Sequence, residues 1–307
     1  MKLLIGSLLT LTVLLISHLS QAADCTNMQL QTGQTNIDFT SNQNFQGSFT
    51  VKANTMPGGC DFFMTFDYGL ATSYANRTLK MGVYSWPYQI SKDSAGINIL
   101  KNLFDASTNN DVISGTLAEG NNDRQVNVNY WAILNMSNPW LRFGNYNDYM
   151  TVTLYRGNLS SYTYADSRLI SLSFNAPKRV DVSMQSTGGT FVLGDLDEVM
   201  DFGNLTAGAT KSAEAILKYN AGYTLSVSST NGGRLKHSTD AVYIPYSIRF
   251  NGSLVNLTTS PQQIYRVFGV SPTTGTTIPI SVTIGNFGTV KSGSYSDQVQ
   301  LTIETTE

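Results

Sequence analysis

The chain has 307 residues, a formal net charge of −2, 13% charged and 41% hydrophobic residues. That length suits two domains, and the charged fraction is about half the usual share of a globular chain. The lack of a basic excess argues against nucleic acid or an anionic membrane as the main partner. Of the two histidines, only His237 lies outside the N-terminal leader argued next, which disfavours a His-ligated metal centre or a Ser-His-Asp hydrolase.

At the N-terminus, Lys2 precedes an apolar run from Leu3 to Ile16, followed by Ser20-Gln21-Ala22-Ala23. A positive start, a short apolar core and a small-residue site describe a secretory signal peptide, assigned here to residues 1–22. Cys25 and Cys60 are then the two cysteines of an exported chain. In an oxidising compartment such a pair is expected to form one disulfide, stabilising the fold by roughly 3–4 kcal/mol. A catalytic cysteine would need a base, and His237 lies in the other half of the chain.

Alternating apolar and polar residues mark strands over Phe45–Ala53, Asp61–Tyr68, Gln125–Leu134 and Tyr149–Tyr155. In the second half they mark Ala213–Tyr219, Tyr223–Ser229, Ile278–Ile284 and Gln298–Ile303. No helical stripe exceeds one or two turns. Short strands with turn residues between them predict an all-β chain of immunoglobulin-like β-sandwiches.

The halves also repeat one another. Ile37-Asp38-Phe39 returns as Met200-Asp201-Phe202, Leu79-Lys80 as Leu235-Lys236, and Trp86-Pro87-Tyr88-Gln89-Ile90 as Ile244-Pro245-Tyr246-Ser247-Ile248. Gly144-Asn145-Tyr146-Asn147-Asp148, with Met150, Val152 and Leu154 after it, returns as Gly293-Ser294-Tyr295-Ser296-Asp297 with Val299, Leu301 and Ile303. The marks keep the same order, which predicts a duplicated sandwich: an N-terminal unit over 23–176 and a C-terminal unit over 177–307. After its copy of the last motif the first half continues into a further strand-like run, Arg168 to Phe174, for which the second half has no counterpart. The C-terminal sandwich is therefore expected to lack its last strand, leaving a groove along Val299, Leu301 and Ile303 for a strand from another chain. Four or five docked apolar side chains, at about 1.5–3 kcal/mol each, amount to roughly 10 kcal/mol gross.

The terminal Gly293-x-Tyr295-Ser296-Asp297-x-Val299-x-Leu301-x-Ile303 motif, with Asp201-Phe202-Gly203 and Pro245-Tyr246-x-Ile248, resembles pilus subunits of the archaic, Csu-type chaperone–usher class, the family with spore-coat-U-type domains. The likeness is best over 180–307, with a diverged copy over 24–157, and it departs from the family in having no cysteine in the second half. It implies assembly by donor-strand complementation through a periplasmic chaperone and an outer-membrane usher, with the next pilus subunit donating the strand. Polymerising subunits of the family carry a donor extension before the first cysteine. Cys25 follows the expected cleavage site almost at once, which implies a two-domain tip adhesin: first domain binding, second joining the shaft, displayed at the cell surface and acting in biofilm formation.

Loops at the end remote from the linker are the expected contact surface. They supply Met56 and Pro57, then Ile97, Ile99, Leu103 and Phe104, then Leu159, Tyr162 and Tyr164. Apolar residues on exposed tips mark adhesive patches, and the resemblance implies attachment to an abiotic, apolar surface; a host surface is the other target. Trp140 and Leu141 form a secondary cluster, expected near the linker. No catalytic residue, metal site or cofactor is predicted. Rival readings are a lectin-like tip using Trp131 or Trp140 with nearby asparagines, an all-β glycosidase using Asp61 and Asp67, and a non-adhesive pilus subunit.

Overall fold

Strand formation follows the alternation closely. The longest run with one side-chain period buries Tyr146, Asp148, Met150, Val152 and Leu154 and turns the residues between them outward, as a strand with one face on a core requires. The computed structural model describes residues 25–31, 33, 35–54, 59–120 and 123–306. The leader at 1–22 and two of the expected contact residues, Met56 and Pro57, lie outside the described residues.

Among the described residues the first sandwich has ten strands. One sheet runs β1 (Thr26–Gln31), β3 (Asn44–Asn54), β8 (Asp123–Leu134), β6 (Tyr84–Ser91). Facing it are β7 (Ile113–Leu117), β4 (Cys60–Phe66), β9 (Gly144–Asn158), β10 (Ser161–Ala176) and β2 (Asn36–Asp38). The short β5 (Thr78–Met81) pairs with both β6 and β9 and joins the sheets at one end. β10 is antiparallel to β9 from Asn158/Ser161 to Gly144/Ala176 and parallel to β2, with Leu172 opposite Ile37. Cys25 and Cys60 form the expected disulfide, tying the start of β1 to the start of β4. The core includes Phe39, Phe49, Phe66, Trp86, Tyr130, Tyr146, Ile170 and Leu172.

The second sandwich repeats this plan with strands missing. One sheet holds β11 (Val180–Ser186), β12 (Thr210–Tyr219), β18 (Thr276–Ile284), β15 (Tyr243–Phe250), β14 (Arg234–His237) and β19 (Tyr295–Ser296), with β16 (Ser253–Val255) beside β15. The facing sheet, among the described residues, is β17 (Gln262–Val267), β13 (Tyr223–Ser229) and β20 (Val299–Thr305). The fold is thus all-β, as expected.

The repeat holds residue by residue. Tyr88 lies opposite Leu134, and Tyr246 opposite Ile284. Lys80 lies opposite Asn147, and Lys236 opposite Ser296. The Tyr88 hydroxyl donates to the Asp148 carboxylate at 2.6 Å, which also accepts the Leu70 and Tyr149 N–H groups. The Tyr246 hydroxyl donates to Asp297 at 2.6 Å, which accepts the Asn231 and Gln298 N–H groups. Each copy therefore carries one Tyr–Asp bond between its two sheets. Both motifs open on a glycine at positive φ whose missing Cβ makes room for a neighbour, Met81 at Gly144 and His237 at Gly293, a position no L side chain fills without strain.

Burial raises the Asp148 carboxyl above its ordinary pKa, against the hydrogen bonds that lower it. Removing one donor from a buried carboxylate costs about 1–3 kcal/mol. Tyr88→Phe is therefore expected to lower stability by that amount in urea unfolding. Tyr246→Phe should cost less, because Asp297 is only half-buried.

Candidate functional site

Two features stand out, one in each sandwich. In the second, β20 pairs with β13 on one side, and among the described residues no strand pairs with its other side. The place that β10 fills in the first sandwich is open here. A groove of about 840 Å³ runs along it, lined by Met200, Phe202, Ile244, Tyr246, Val299 and Leu301 among others. Ile303 packs on the same core further along the strand. Equivalent side chains record the difference. Ile37, Phe39, Tyr146, Asp148, Met150, Val152 and Leu154 are fully buried in the first sandwich, while Met200, Phe202, Tyr295, Asp297, Val299, Leu301 and Ile303 are half-exposed.

The backbone records it too. Phe39 donates its N–H to Ser173 of β10, and the Asp38 carboxylate caps the Thr40 N–H in the turn that follows. The second copy keeps that turn, with Asp201 accepting from Gly203 N–H at 2.8 Å, but the stretch before it forms no strand. Likewise, β9 is continuous over Gly144–Asn158, whereas its counterpart is interrupted between β19 and β20.

The second feature is the segment between β6 and β7 in the first sandwich. Sequence reading placed Ile97, Ile99, Leu103 and Phe104 on a loop at the end remote from the linker. The structure corrects this. The segment crosses the flank from one sheet to the other, with Leu100 N–H donating to Ile90 and Phe66 N–H donating to Lys101. It does so because residues 113–117 form β7 on the edge of β4, a strand whose single Gly and Ser/Thr content gave no clear alternation signal.

The flank segment is held by side chains. Asp93 accepts the N–H groups of Ala95, Ile97 and Asn98. Asp105 accepts the hydroxyls of Tyr68 and Tyr74. Asp111 accepts from the Ser107 and Thr108 N–H groups and pairs with Lys101 at 2.7 Å. Beneath lies Arg77, completely buried, its guanidinium donating to the carbonyls of Phe66, Asp67 and Leu100. Sequence reasoning missed Arg77, because a lone arginine in a polar stretch carries no pattern that separates it from a solvated one. On this frame Phe104 is 95% and Ile97 78% exposed; Ile99 and Leu103 are half-buried.

Tyr162 and Tyr164 lie on the far β9–β10 hairpin, beside its turn residue Leu159, and are 45% and 64% exposed. They rest on Tyr155, which stacks on Phe63 with ring centroids 5.0 Å apart. Trp140 stands edge-on to Phe191 of the second sandwich, and Leu141 packs on the first core. Buried Asn220 completes this junction, accepting from the Phe143 and Arg179 N–H groups and donating to Pro177. Trp131 is only partly exposed, in mid-strand of β8. Asp61 and Asp67 are six residues apart along and just beyond β4, about 20 Å by strand rise. Paired glycosidase carboxylates sit within about 10 Å, so these two do not form such a pair.

No family model and no curated protein matches the chain. Solved structures do show likeness. A chain of the CsuC–CsuE chaperone–tip adhesion subunit pre-assembly complex of archaic chaperone–usher Csu pili from Acinetobacter baumannii is 13% identical, over 92% of this chain and 100% of that one, with a TM-score of 0.43. The CupB6 tip adhesin from Pseudomonas aeruginosa is 12% identical, over 92% of each chain, at 0.37. CfaE, the adhesive subunit of CFA/I fimbria of enterotoxigenic Escherichia coli, is 11% identical, over 90% of this chain and 94% of that one, at 0.33.

Hydrogen bonds from the Asn98 and Ile97 N–H groups hold the Asp93 carboxyl below its usual pKa, and the Tyr68 and Tyr74 hydroxyls do the same for Asp105. Burial pushes Asp111 up, but Lys101 and the Ser107 and Thr108 donors outweigh it and hold it well below the carboxylate range. A depressed folded pKa contributes stability above the unfolded value, about 4, that is lost as pH falls through the folded one. Amides of Ile97, Asn98, Ser107 and Thr108 are therefore expected to keep full exchange protection at pH 6 and lose it progressively below about pH 4. Hydrogen exchange read by NMR across that range checks this.

Proposed function

We propose that this protein is the tip adhesin of a pilus assembled by the chaperone–usher route, attaching cells to surfaces in biofilm formation. The observation that carries the reading is the open edge of β20 above its apolar groove. A strand edge with an uncovered core is an aggregation hazard for an isolated protein and a docking site for a donated strand. In this reading a periplasmic chaperone covers the groove first, the next pilus subunit then supplies the strand, and an outer-membrane usher exports the product to the cell surface. Residues 23–176 form the adhesive unit and 177–307 the unit that joins the fibre.

The first sandwich is closed by its own β10, so it needs no donor. What it presents instead is large apolar side chains on stiff supports. Phe104 and Ile97 project from a segment fixed by three carboxylates and Arg77, and Tyr162 and Tyr164 from a hairpin packed on Phe63. Such side chains lose little entropy on docking, and each buried one contributes about 1.5–3 kcal/mol. Many fibres acting together convert weak contacts into firm attachment. Trp140 and Leu141 are assigned to the junction between sandwiches in this account.

The test separates the two supports. Ile97→Ser with Phe104→Ser, and Tyr162→Ser with Tyr164→Ser, are expected to leave pilus assembly unchanged. Each pair should reduce binding to an apolar plastic by about tenfold or more, as the loss of two such contacts implies. Full adhesion in both pairs would reject these side chains as the contact surface. Selective binding of the first sandwich on a glycan array would favour the lectin-like tip instead.

A further inference from the structure

We infer that the first sandwich has a separate binding site for a neutral saccharide, a polar cleft between β1, β3 and β10. The cleft shares no side chain with the apolar contacts proposed above and does not depend on them. It arises where the two sheets part. β1 and β10 each gain one residue there, β1 between Thr26 and Gln29 and β10 between Tyr164 and Asp166. Such bulges re-aim side chains and are over-represented beside functional sites. The β1 bulge includes Asn27 at a φ of +56°, one of two non-glycine residues with positive φ among the described residues, a conformation uncommon even for asparagine. Side chains bridge the inner part of the gap. Asp166 accepts the Leu30 N–H at 2.9 Å, and Arg168 donates to the Leu30 carbonyl at 3.2 Å. What stays open is a cleft of about 570 Å³, within the ~300–1,000 Å³ of small-molecule sites.

The lining decides the ligand class. Small-molecule sites are mostly apolar, but here only Met28 and Ala165 are. The charges cancel, since Lys52 pairs with Asp123 at 2.5 Å and Arg168 with Asp166 at 3.3 Å. No net charge is left to select an ion. Three lining residues, Asn27, Gln29 and Asn54, are exposed, and their side-chain amides bond to no other described residue. An amide offers two donors and an acceptor in one plane. That set matches neighbouring hydroxyls on a sugar ring, each of which both donates and accepts. The polar surface also continues beyond the cleft. Along β8 the residues alternating with Asp123 are Gln125, Asn127 and Asn129, all exposed. They extend the row of amides by about 20 Å, which favours a chain of several sugar units over a single terminal one.

The experiment probes an array of neutral gluco-, galacto-, manno- and N-acetylhexosamine oligomers, with sialylated and sulfated oligomers beside them, using the chain over residues 23–307. One variant is Asn27→Gly, which deletes an amide and keeps the positive φ. The other combines Gln29→Ala with Asn54→Ala, both at exposed positions, so melting temperatures should match the unaltered chain. The inference expects binding to neutral oligomers that tightens as they lengthen. The double variant should bind about tenfold or more weakly, as the loss of two hydrogen bonds implies, and Asn27→Gly several-fold more weakly. Adhesion of both variants to apolar plastic should be unchanged. Binding to no neutral oligomer, preference for sialylated or sulfated ones, or sugar binding that survives both variants would each overturn the inference. A parallel loss of plastic adhesion would overturn the separateness of the site. Failure of the apolar contacts in their own test leaves the cleft untouched.

Discussion

A backbone N–H or C=O inside a sheet must find a partner, and among the described residues one edge of β20, beside an uncovered core, has none. In the first sandwich the equivalent edge is covered, since β10 lies between β9 and β2 and bonds to both. The second has the same β9-like motif, the same Asp-capped turn after its β2-like stretch, and nothing between them among the described residues. The consequences extend to side chains: a row that is dry in one copy is half-wet in the other. Unpaired backbone and uncovered core are both costly, so the groove has a large free energy available for whatever fills it. That asymmetry between two near-identical frameworks is the basis of the functional reading.

The closed copy is free to do something else. Its sheets are locked at one end by the disulfide and across the middle by the Tyr88–Asp148 bond. Its flank segment is irregular yet densely bonded, with carboxylates taking the N–H groups that a strand would have paired. Arg77 gives that segment a buried anchor, one guanidinium nitrogen donating to three carbonyls, while burial lowers its pKa. Rigid presentation of Phe104 and Ile97 to solvent is difficult to explain by stability alone, because neither side chain gains from its position.

Much of this was legible in the sequence. Alternation located the central strands, the presence of a single pair of cysteines in a chain read as exported pointed to Cys25–Cys60, and the Gly-x-Tyr-x-Asp repeat identified equivalent positions in both halves. The repeat was informative because the same contacts constrain both copies: the Asp must accept two backbone N–H groups and a Tyr hydroxyl, and the Gly must leave room. Less was legible where contacts are formed by one copy only. β7 has too few apolar residues to show a period. The flank segment has polar, loop-like composition, so its path across the sheets depends on Asp93, Asp105, Asp111 and Arg77 meeting partners remote in sequence. Ile97 and Phe104 could be named as apolar residues in a loop, but were placed at the remote end rather than on the flank.

The central claim is that one edge of β20 is unpaired in the free protein. Amide exchange resolved by residue tests it directly. In an antiparallel strand with a neighbour on one side only, alternate N–H groups point to empty space. The account predicts alternating fast and slow exchange along Val299–Thr305, against uniform protection along the equivalent Met150–Arg156 of β9. Uniform slow exchange along Val299–Thr305 in the isolated chain would contradict it.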